Sequence, residues 1–216
     1  MKRFAFEHLY DWLNSNDRKP LVLRGARQVG KSTLIKLFAE NFKLDLIEVN
    51  CEKTKLKSVR DDNFKLENLV EEIEFISNKK IKKTTILFLD EIQADPLAIQ
   101  FLRYFYEERP EIAVVCAGSL LELTLAQNEI SFPVGRVSFY YLGPMTFCEY
   151  LCAIDKEELA NKILKEEIQE FHHQTLLDEF KKFMFIGGMP KAIFTYSQTK
   201  NLRDVSDVHR LSLIHI

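Results

Sequence analysis

Five short apolar runs, separated by segments of helical periodicity, restrict the fold of this chain more than any other feature. The runs at 86–89 and 112–117 are continuously apolar, which is typical of strands whose two sheet faces are both covered by helices. The intervening segments repeat apolar residues at spacings of three and four. Strands that alternate with helices in this way predict an α/β fold with a parallel, doubly wound sheet. The predicted strands are residues 20–23, 44–49, 85–89, 112–117 and 137–142.

The pattern changes after Pro144, because the remaining segments have helical spacing and no further strand. We therefore predict an N-terminal helix at 1–19, an α/β core at 20–150 and a small helical lid at 151–205. A tail at 206–216 completes the chain. Its last residues interrupt the preceding polar helix without a cap, so we expect this tail to be truncated or non-native.

Charge and hydropathy argue against two classes of protein, nucleic-acid-binding proteins and membrane proteins. The 30 Lys and Arg residues nearly balance the 32 Asp and Glu residues, and the net charge is −2. This balance does not indicate nucleic-acid binding over the whole chain, although it does not exclude a local basic patch that binds nucleic acid. No uncharged run approaches the roughly 20 apolar residues that a membrane helix needs, so we expect a cytoplasmic protein without a membrane partner. The four cysteines lack CxxC spacing, which favours buried thiols.

Residues 25–32, read as Gly-Ala-Arg-Gln-Val-Gly-Lys-Ser, match the pattern G-x-x-x-x-G-K-[ST]. They fall between a predicted strand and a predicted helix. Backbone N–H groups of such a loop can approach phosphate oxygens closely at a helix N-terminus. Lys31 would supply a charge for the β and γ phosphates and Ser32 a hydroxyl for Mg²⁺. A plain glycine turn would explain the two glycines but not Lys31 and Ser32.

Asp90 and Glu91 follow the apolar run at 86–89. An Asp at the mouth of a buried strand can hold Mg²⁺, and the next carboxylate can orient or deprotonate an attacking water. Acidic residues also mark many strand ends that meet solvent. The phosphate-loop pattern upstream favours the functional interpretation here.

Other polar positions have two interpretations each. Ser119 could contact the γ phosphate or cap a helix, with Glu122 completing a capping box. Arg136 could neutralise phosphate charge in its own or a neighbouring subunit, or lie on the surface. Arg27 could steer nucleotide or be solvated. The turn at 187–190 could close over a base or ribose, or merely join two helices.

Taken together, these motifs resemble the prokaryotic AAA-type ATPases that carry a C-terminal DUF4143 domain. The resemblance implies a P-loop NTPase fold with strand order 5-1-4-3-2, and ATP and Mg²⁺ as cofactors. It makes Asp90 and Glu91 the Walker B pair and Ser119 a sensor-like position. Arg136 matches a Gly-Arg position whose role the resemblance leaves open. The Walker A loop would bind ATP through Gly25, Ala26, Arg27, Gln28, Val29, Gly30, Lys31, Ser32 and Thr33. The motifs that carry the resemblance are residues 24–32, 88–93, 116–119, 135–136, 142–150 and 187–191.

The functional expectation is Mg²⁺-dependent ATP hydrolysis, with Lys31, Glu91, Ser119 and Arg136 as catalytic candidates and Ser32 and Asp90 as metal ligands. The alternative is a nucleotide-dependent switch that binds ATP or ADP with little turnover and regulates a further domain. A small-molecule kinase is disfavoured, because Glu91 suits water activation and no acceptor motif is visible. The resemblance also implies a C-terminal endonuclease-like domain beyond this chain and leaves room for a homo-oligomer.

Overall fold

The computed structural model describes residues 3–119, 133 and 135–214. The chain consists of two compact units. The sheet unit comprises Phe6–Arg27 and Lys31–Leu142, and the helical unit comprises Met1–Ala5, Gln28–Gly30 and Gly143–Ile216.

A five-stranded sheet forms the centre of the sheet unit, and all of its strand pairs are parallel. The strand order is β2-β3-β4-β1-β5, which is the predicted order 5-1-4-3-2 in reverse. The structure therefore confirms the predicted topology. The strands are β1 (Leu21–Arg24), β2 (Asp45–Asn50), β3 (Thr85–Asp90), β4 (Ala113–Ala117) and β5 (Ser138–Tyr141).

Burial explains why the inner strands read as continuously apolar in the sequence. All residues of β3 and β4 are buried, so both faces of these strands are covered. Each fully buried Val, Leu, Ile or Phe side chain stabilises the fold by about 1.5 to 3 kcal/mol relative to an exposed one. The α-helices that precede β1 or connect the strands are α1 (Ala5–Leu13), α2 (Lys31–Asn41), α3 (Leu66–Ser77), α4 (Pro96–Gln100) and α5 (Leu102–Glu108).

The helical spacing of apolar residues at 96–106 predicts one helix, but the structure divides it at Phe101, between α4 and α5. The Phe101 ring lies 4.0 Å from the ring of Phe64, measured between centroids. The interruption thus coincides with this ring contact, and helical periodicity does not reveal it. Asp95 precedes Pro96, a sequence that predicts a helix cap, but it makes no side-chain cap hydrogen bond. It is buried and instead accepts from the Arg60 guanidinium, with 2.8 Å between Nη2 and Oδ1.

The helical unit has its own apolar core, which includes Tyr150, Ile186 and Ile193. The apolar spacing at 157–171 predicts one helix, but this helix ends at Leu164, and Glu166 takes a left-handed φ of +58°. The final helix continues to Ile214, past the point where the sequence pattern suggested an interruption, and its residues Val205 and Val208 are buried in this core. The helices are α6 (Phe147–Ala153), α7 (Glu157–Leu164), α8 (His173–Ile186), α9 (Pro190–Thr199) and α10 (Leu202–Ile214).

Among the described helices, none has the length and apolar character that crossing a membrane requires.

Candidate functional site

The loop between β1 and α2 changes backbone handedness several times. The φ angle is +142° at Gly25, +66° at Gln28 and +87° at Gly30. Glycine adopts such angles without steric cost, whereas Gln28 is held there by the surrounding chain. Alternating handedness turns successive N–H groups toward one side, which is the arrangement of anion-binding concavities.

Lys31 begins α2 and is largely buried. Its ammonium donates hydrogen bonds to the carbonyl oxygens of Gly25 and Ala26, both at 2.8 Å. Burial lowers the pKa of Lys31, although the carboxylates of Glu91 and Asp90 oppose that shift. The loop thus positions a cation at its own mouth, next to two acidic groups.

Ser32 and Asp90 meet although they are 58 residues apart in the chain. The Ser32 hydroxyl donates to Asp90 Oδ2 at 2.8 Å. Burial raises the pKa of Asp90, while this hydrogen bond opposes the shift. A hydroxyl and a carboxylate are oxygen donors of the kind that Mg²⁺ prefers, and Mg²⁺ commonly takes only one or two carboxylates plus substrate phosphates. Among the described residues, no group of three or more His, Cys, Asp or Glu side chains could hold a metal ion. Ser32 and Asp90 are two oxygen donors that could hold such an ion together with phosphate oxygens.

Glu91 lies just beyond the end of β3 in a left-handed backbone conformation, with φ +50° and ψ +44°. A non-glycine residue in this region carries backbone strain, and such strain is commonly found at functional sites. Its N–H donates to Asp90 Oδ1 at 3.1 Å. Its carboxylate accepts a hydrogen bond from the Gln93 side-chain amide, with 2.6 Å between Nε2 and Oε2. The sequence predicts no role for Gln93, although this residue lies within the motif at 88–93 that carries the family resemblance.

Ser119 lies beside the loop, since its Oγ is 3.5 Å from Arg27 Nε. The capping box predicted for Ser119 includes Glu122, which lies outside the described residues.

Arg136 forms an exposed ion pair with Glu107, with 2.7 Å between Nε and Oε1. This ion pair agrees with the interpretation of Arg136 as a surface residue. The role of Arg136 in neutralising phosphate charge stays a prediction.

The turn at 187–190 packs within the helical unit. The carbonyl of Gly188 accepts from Met145 N at 2.7 Å, and a Cβ on Gly188 would lie 2.6 Å from the Met145 carbonyl oxygen. Pro190 Cγ lies 3.4 Å from the position that a Cβ on Gly30 would take. The turn therefore contacts a loop glycine, and its contact with a base or ribose stays a prediction.

Arg3 is a second residue without a predicted role. Its guanidinium is buried and donates to three acceptors: the Val29 carbonyl at 3.1 Å, the Gly143 carbonyl at 2.9 Å and Glu149 Oε1 at 3.0 Å. Arg3 thereby fixes the peptide carbonyl that precedes Gly30. No periodicity marks an isolated arginine ahead of a helix, so only the structure could reveal this contact.

The family of this chain is shown by a match to a known domain family. A family model described as an AAA domain matches residues 17–151. The chain belongs to this AAA domain family. The matched segment contains the loop at 25–32, the strand β3 and the Asp90–Glu91 pair. No match was found among curated proteins.

One solved structure shares the α/β fold of this AAA domain with a TM-score above 0.5. A Walker-type ATPase of Pyrococcus abyssi superposes with a TM-score of 0.59 at 14% identity, covering 98% of this chain and 72% of that one. The Thermotoga maritima RuvB Holliday junction branch migration motor gives 0.48 at 17% identity, with 95% and 60% covered. PCH-2 of C. elegans gives 0.46 at 14% identity, with 95% and 62% covered. The last two proteins are thus spanned over less than two thirds of their length, and at these identities the likeness concerns the fold alone.

Proposed function

We propose that this AAA domain binds ATP and hydrolyses it in a Mg²⁺-dependent reaction. The observation that carries the proposal is the meeting of Ser32 and Asp90 at 2.8 Å, beside a loop whose Lys31 interacts electrostatically with Asp90 and Glu91. A phosphate-binding loop, a cation and two carboxylates in one place form the set that phosphoryl transfer to water requires.

The proposed roles follow from the chemistry of each group. The N–H groups of residues 25–33 bind phosphate oxygens, and Lys31 moves from its own loop carbonyls to the β and γ phosphates. Ser32 and Asp90 hold Mg²⁺. When bound, this ion neutralises charge on the β and γ phosphate oxygens. Glu91 orients the attacking water and accepts its proton.

In the proposed reaction, the water oxygen forms a bond to the γ-phosphorus as the bond to the β–γ bridging oxygen breaks. ADP leaves with the electron pair of the broken bond. Glu91 accepts the proton lost by the water and returns it to solvent or to the phosphate product. ADP and inorganic phosphate are thus the products.

The remaining predicted residues have supporting roles in this proposal. Ser119, which lies near Arg27, would contact the γ phosphate or the water, and Arg27 would steer nucleotide. Arg136 would need to leave Glu107 to reach phosphate in its own or a neighbouring subunit. The segment 151–205 would act as a lid, and a homo-oligomer and a further C-terminal endonuclease-like domain remain proposals from the family resemblance.

A nucleotide-dependent switch with little turnover is the second candidate. The observation in its favour is the pair of hydrogen bonds from Lys31 to Gly25 and Ala26. Bound phosphate would have to replace them, and this exchange could itself signal occupancy of the loop. The switch predicts nucleotide retained at one equivalent per chain and negligible phosphate release.

Phosphate release from Mg·ATP tests the two candidates. We expect turnover by the wild type, and a loss of about 10²- to 10⁴-fold in kcat for Glu91→Gln with ATP still bound. Glu71→Gln, an exposed change on α3, is the matched control and should leave kcat unchanged. Equal rates for wild type and Glu91→Gln would remove Glu91 from the mechanism. Retained nucleotide without turnover would favour the switch.

A further inference from the structure

The side chain of Gln93 contacts the carboxylate of Glu91 in one definite orientation. The distance from Nε2 to Glu91 Oε2 is 2.6 Å. A carboxylate only accepts hydrogen bonds, so the amide nitrogen, and not the amide oxygen, must face it. The other amide atom, Oε1, is buried and has no hydrogen-bond partner within the part of the chain that the structure describes.

The backbone that carries Gln93 is fixed on both sides. Residues Ile92–Ala94 form a 3₁₀ turn, in which Ile92 is fully buried and Ala94 N–H donates to the Glu91 carbonyl at 3.0 Å. Asp95 closes the turn through its N–H, which donates to the Ile92 carbonyl at 2.9 Å. Its side chain is fully buried in the ion pair with Arg60. Gln93 therefore reaches Glu91 from a rigid support, and its amide does not have to be ordered at the moment of reaction.

This contact restricts which oxygen of Glu91 can act on water. Oε2 is occupied by the Gln93 amide, and no hydrogen bond to Oε1 from the described residues is seen. A general base must hold its accepting oxygen in hydrogen-bond reach of the proton that it removes. A carboxylate fixed through one oxygen presents the other in a single direction, whereas a free side chain would sample several rotamers.

We propose that Gln93 is the positioning residue for Glu91: it holds one carboxylate oxygen so that the other faces the attacking water. The inference rests on the proposed ATP hydrolysis. It adds a residue that acts through Glu91 and does not touch nucleotide. The opposite role, in which Gln93 withholds Glu91 from the reaction, predicts the opposite kinetic change.

Kinetics of Gln93→Met separates these two roles. Met has a similar volume and no amide, so the turn keeps its packing while Glu91 loses its donor. We expect kcat to fall about ten- to hundredfold, the factor that corresponds to one hydrogen bond to a charged group. The KM and the Kd for ATP should stay within about twofold, because Gln93 does not contact nucleotide. Gln100→Met, exposed at the end of α4, is the control. An unchanged or increased kcat for Gln93→Met would overturn the proposal.

A double-mutant cycle tests whether Gln93 acts through Glu91. In the Glu91→Ala background, Gln93→Met should lower kcat no further, since the group that it positions is gone. A general weakening of the site would lower kcat by the same factor in both backgrounds. Additive losses would therefore contradict a positioning role.

One measurement is independent of turnover and separates this proposal from the proposed function. The Gln93 side-chain amide proton, observed by ¹⁵N-correlated NMR, should lie downfield in the wild type and move upfield in Glu91→Ala. A wild type without phosphate release contradicts ATP hydrolysis, and the contact is then judged from the NMR shift alone. An amide proton that is unaffected by Glu91→Ala overturns the positioning of Glu91 in every case.

Discussion

At the scale of single residues, Lys31 combines the two properties that a phosphate ligand needs. It is charged, with Asp90 and Glu91 close enough to influence its pKa, and it is already directed into the loop by two backbone carbonyls. Because a bound phosphate offers charged acceptors in place of neutral carbonyls, the exchange favours the bound state.

We expect Lys31→Met to weaken ATP binding by at least tenfold, because one charge-assisted hydrogen bond contributes about 1.5 to 3 kcal/mol. Titration of a fluorescent ATP analogue measures the Kd. Lys36→Met is the control, since Lys36 lies on the same helix but forms a half-exposed ion pair with Glu48. Equal Kd values for both variants would exclude Lys31 from phosphate binding.

Ser32 allows a test of the metal ligands that is separate from nucleotide binding. Ser32→Ala removes one oxygen next to Asp90, so the affinity for Mg·ATP should fall while the affinity for ATP in excess EDTA stays within about twofold. Calorimetric titrations with and without Mg²⁺ supply both values. Equal losses in the two conditions would show that the hydroxyl serves the loop and not the ion.

At the scale of secondary-structure elements, the start of α6 concentrates several polar contacts. Thr146 and Glu149 form a capping box, and Glu149 also accepts from Arg3 and from the Phe4 N–H. Loss of one partner leaves a buried guanidinium without its counter-ion, which is far more costly than loss of an exposed pair.

Glu149→Ala should therefore lower the free energy of unfolding by about 3 to 5 kcal/mol. Glu158→Ala breaks an exposed i,i+4 pair with Lys162 and should cost no more than about 0.5 kcal/mol. Urea denaturation followed by circular dichroism gives both values. A loss below about 1 kcal/mol for Glu149→Ala would contradict the importance of this network.

Gly188, in the turn before α9, and Gly143, which follows β5, form a matched pair of glycines. A Cβ on Gly188 would lie 2.6 Å from a backbone oxygen, whereas one on Gly143 would meet nothing within 4 Å. Gly188→Ala should thus destabilise the protein by about 1 to 3 kcal/mol through overpacking, and Gly143→Ala should change stability by less than about 0.5 kcal/mol. Thermal unfolding of the two variants side by side tests the difference.

At the scale of the whole molecule, stability should depend on pH through Glu179. Burial alone would raise the pKa of this carboxyl, but hydrogen bonds from Lys156, Lys182 and Tyr150 outweigh burial and lower it. A lowered pKa in the folded state stabilises the protein above the unfolded value of about 4.3, and this contribution disappears as pH falls through the folded pKa.

Glu179→Gln should consequently flatten the loss of stability between about pH 5 and pH 3. Melting temperatures measured across this range for wild type and variant are the test. Glu158→Gln, at an exposed position, should keep the slope of the wild type. The same slope in Glu179→Gln would show that other carboxylates dominate acid unfolding.

The features that sequence could predict are those with a local signature. The strands and the loop at 25–32 follow from apolar runs and glycine spacing, whereas the strand order follows from the family resemblance, and the structure confirms that order. The break at Phe101, the Asp95–Arg60 pair and the contacts of Gln93 and Arg3 depend on which distant segments meet. Such contacts have no periodicity, so the chain alone could not specify them. The roles proposed for Lys31 and Glu91 stay predictions.

Arg3 and Glu149 are separated by 146 positions in the chain, which affects the order of events on the ribosome. The guanidinium leaves the exit tunnel long before the carboxylate is translated, at roughly 5 to 20 residues per second. For several seconds the nascent polypeptide must keep Arg3 and the carbonyl of Val29 hydrated. The residues at 28–30 can therefore reach their final arrangement only late in synthesis, after α6 has emerged.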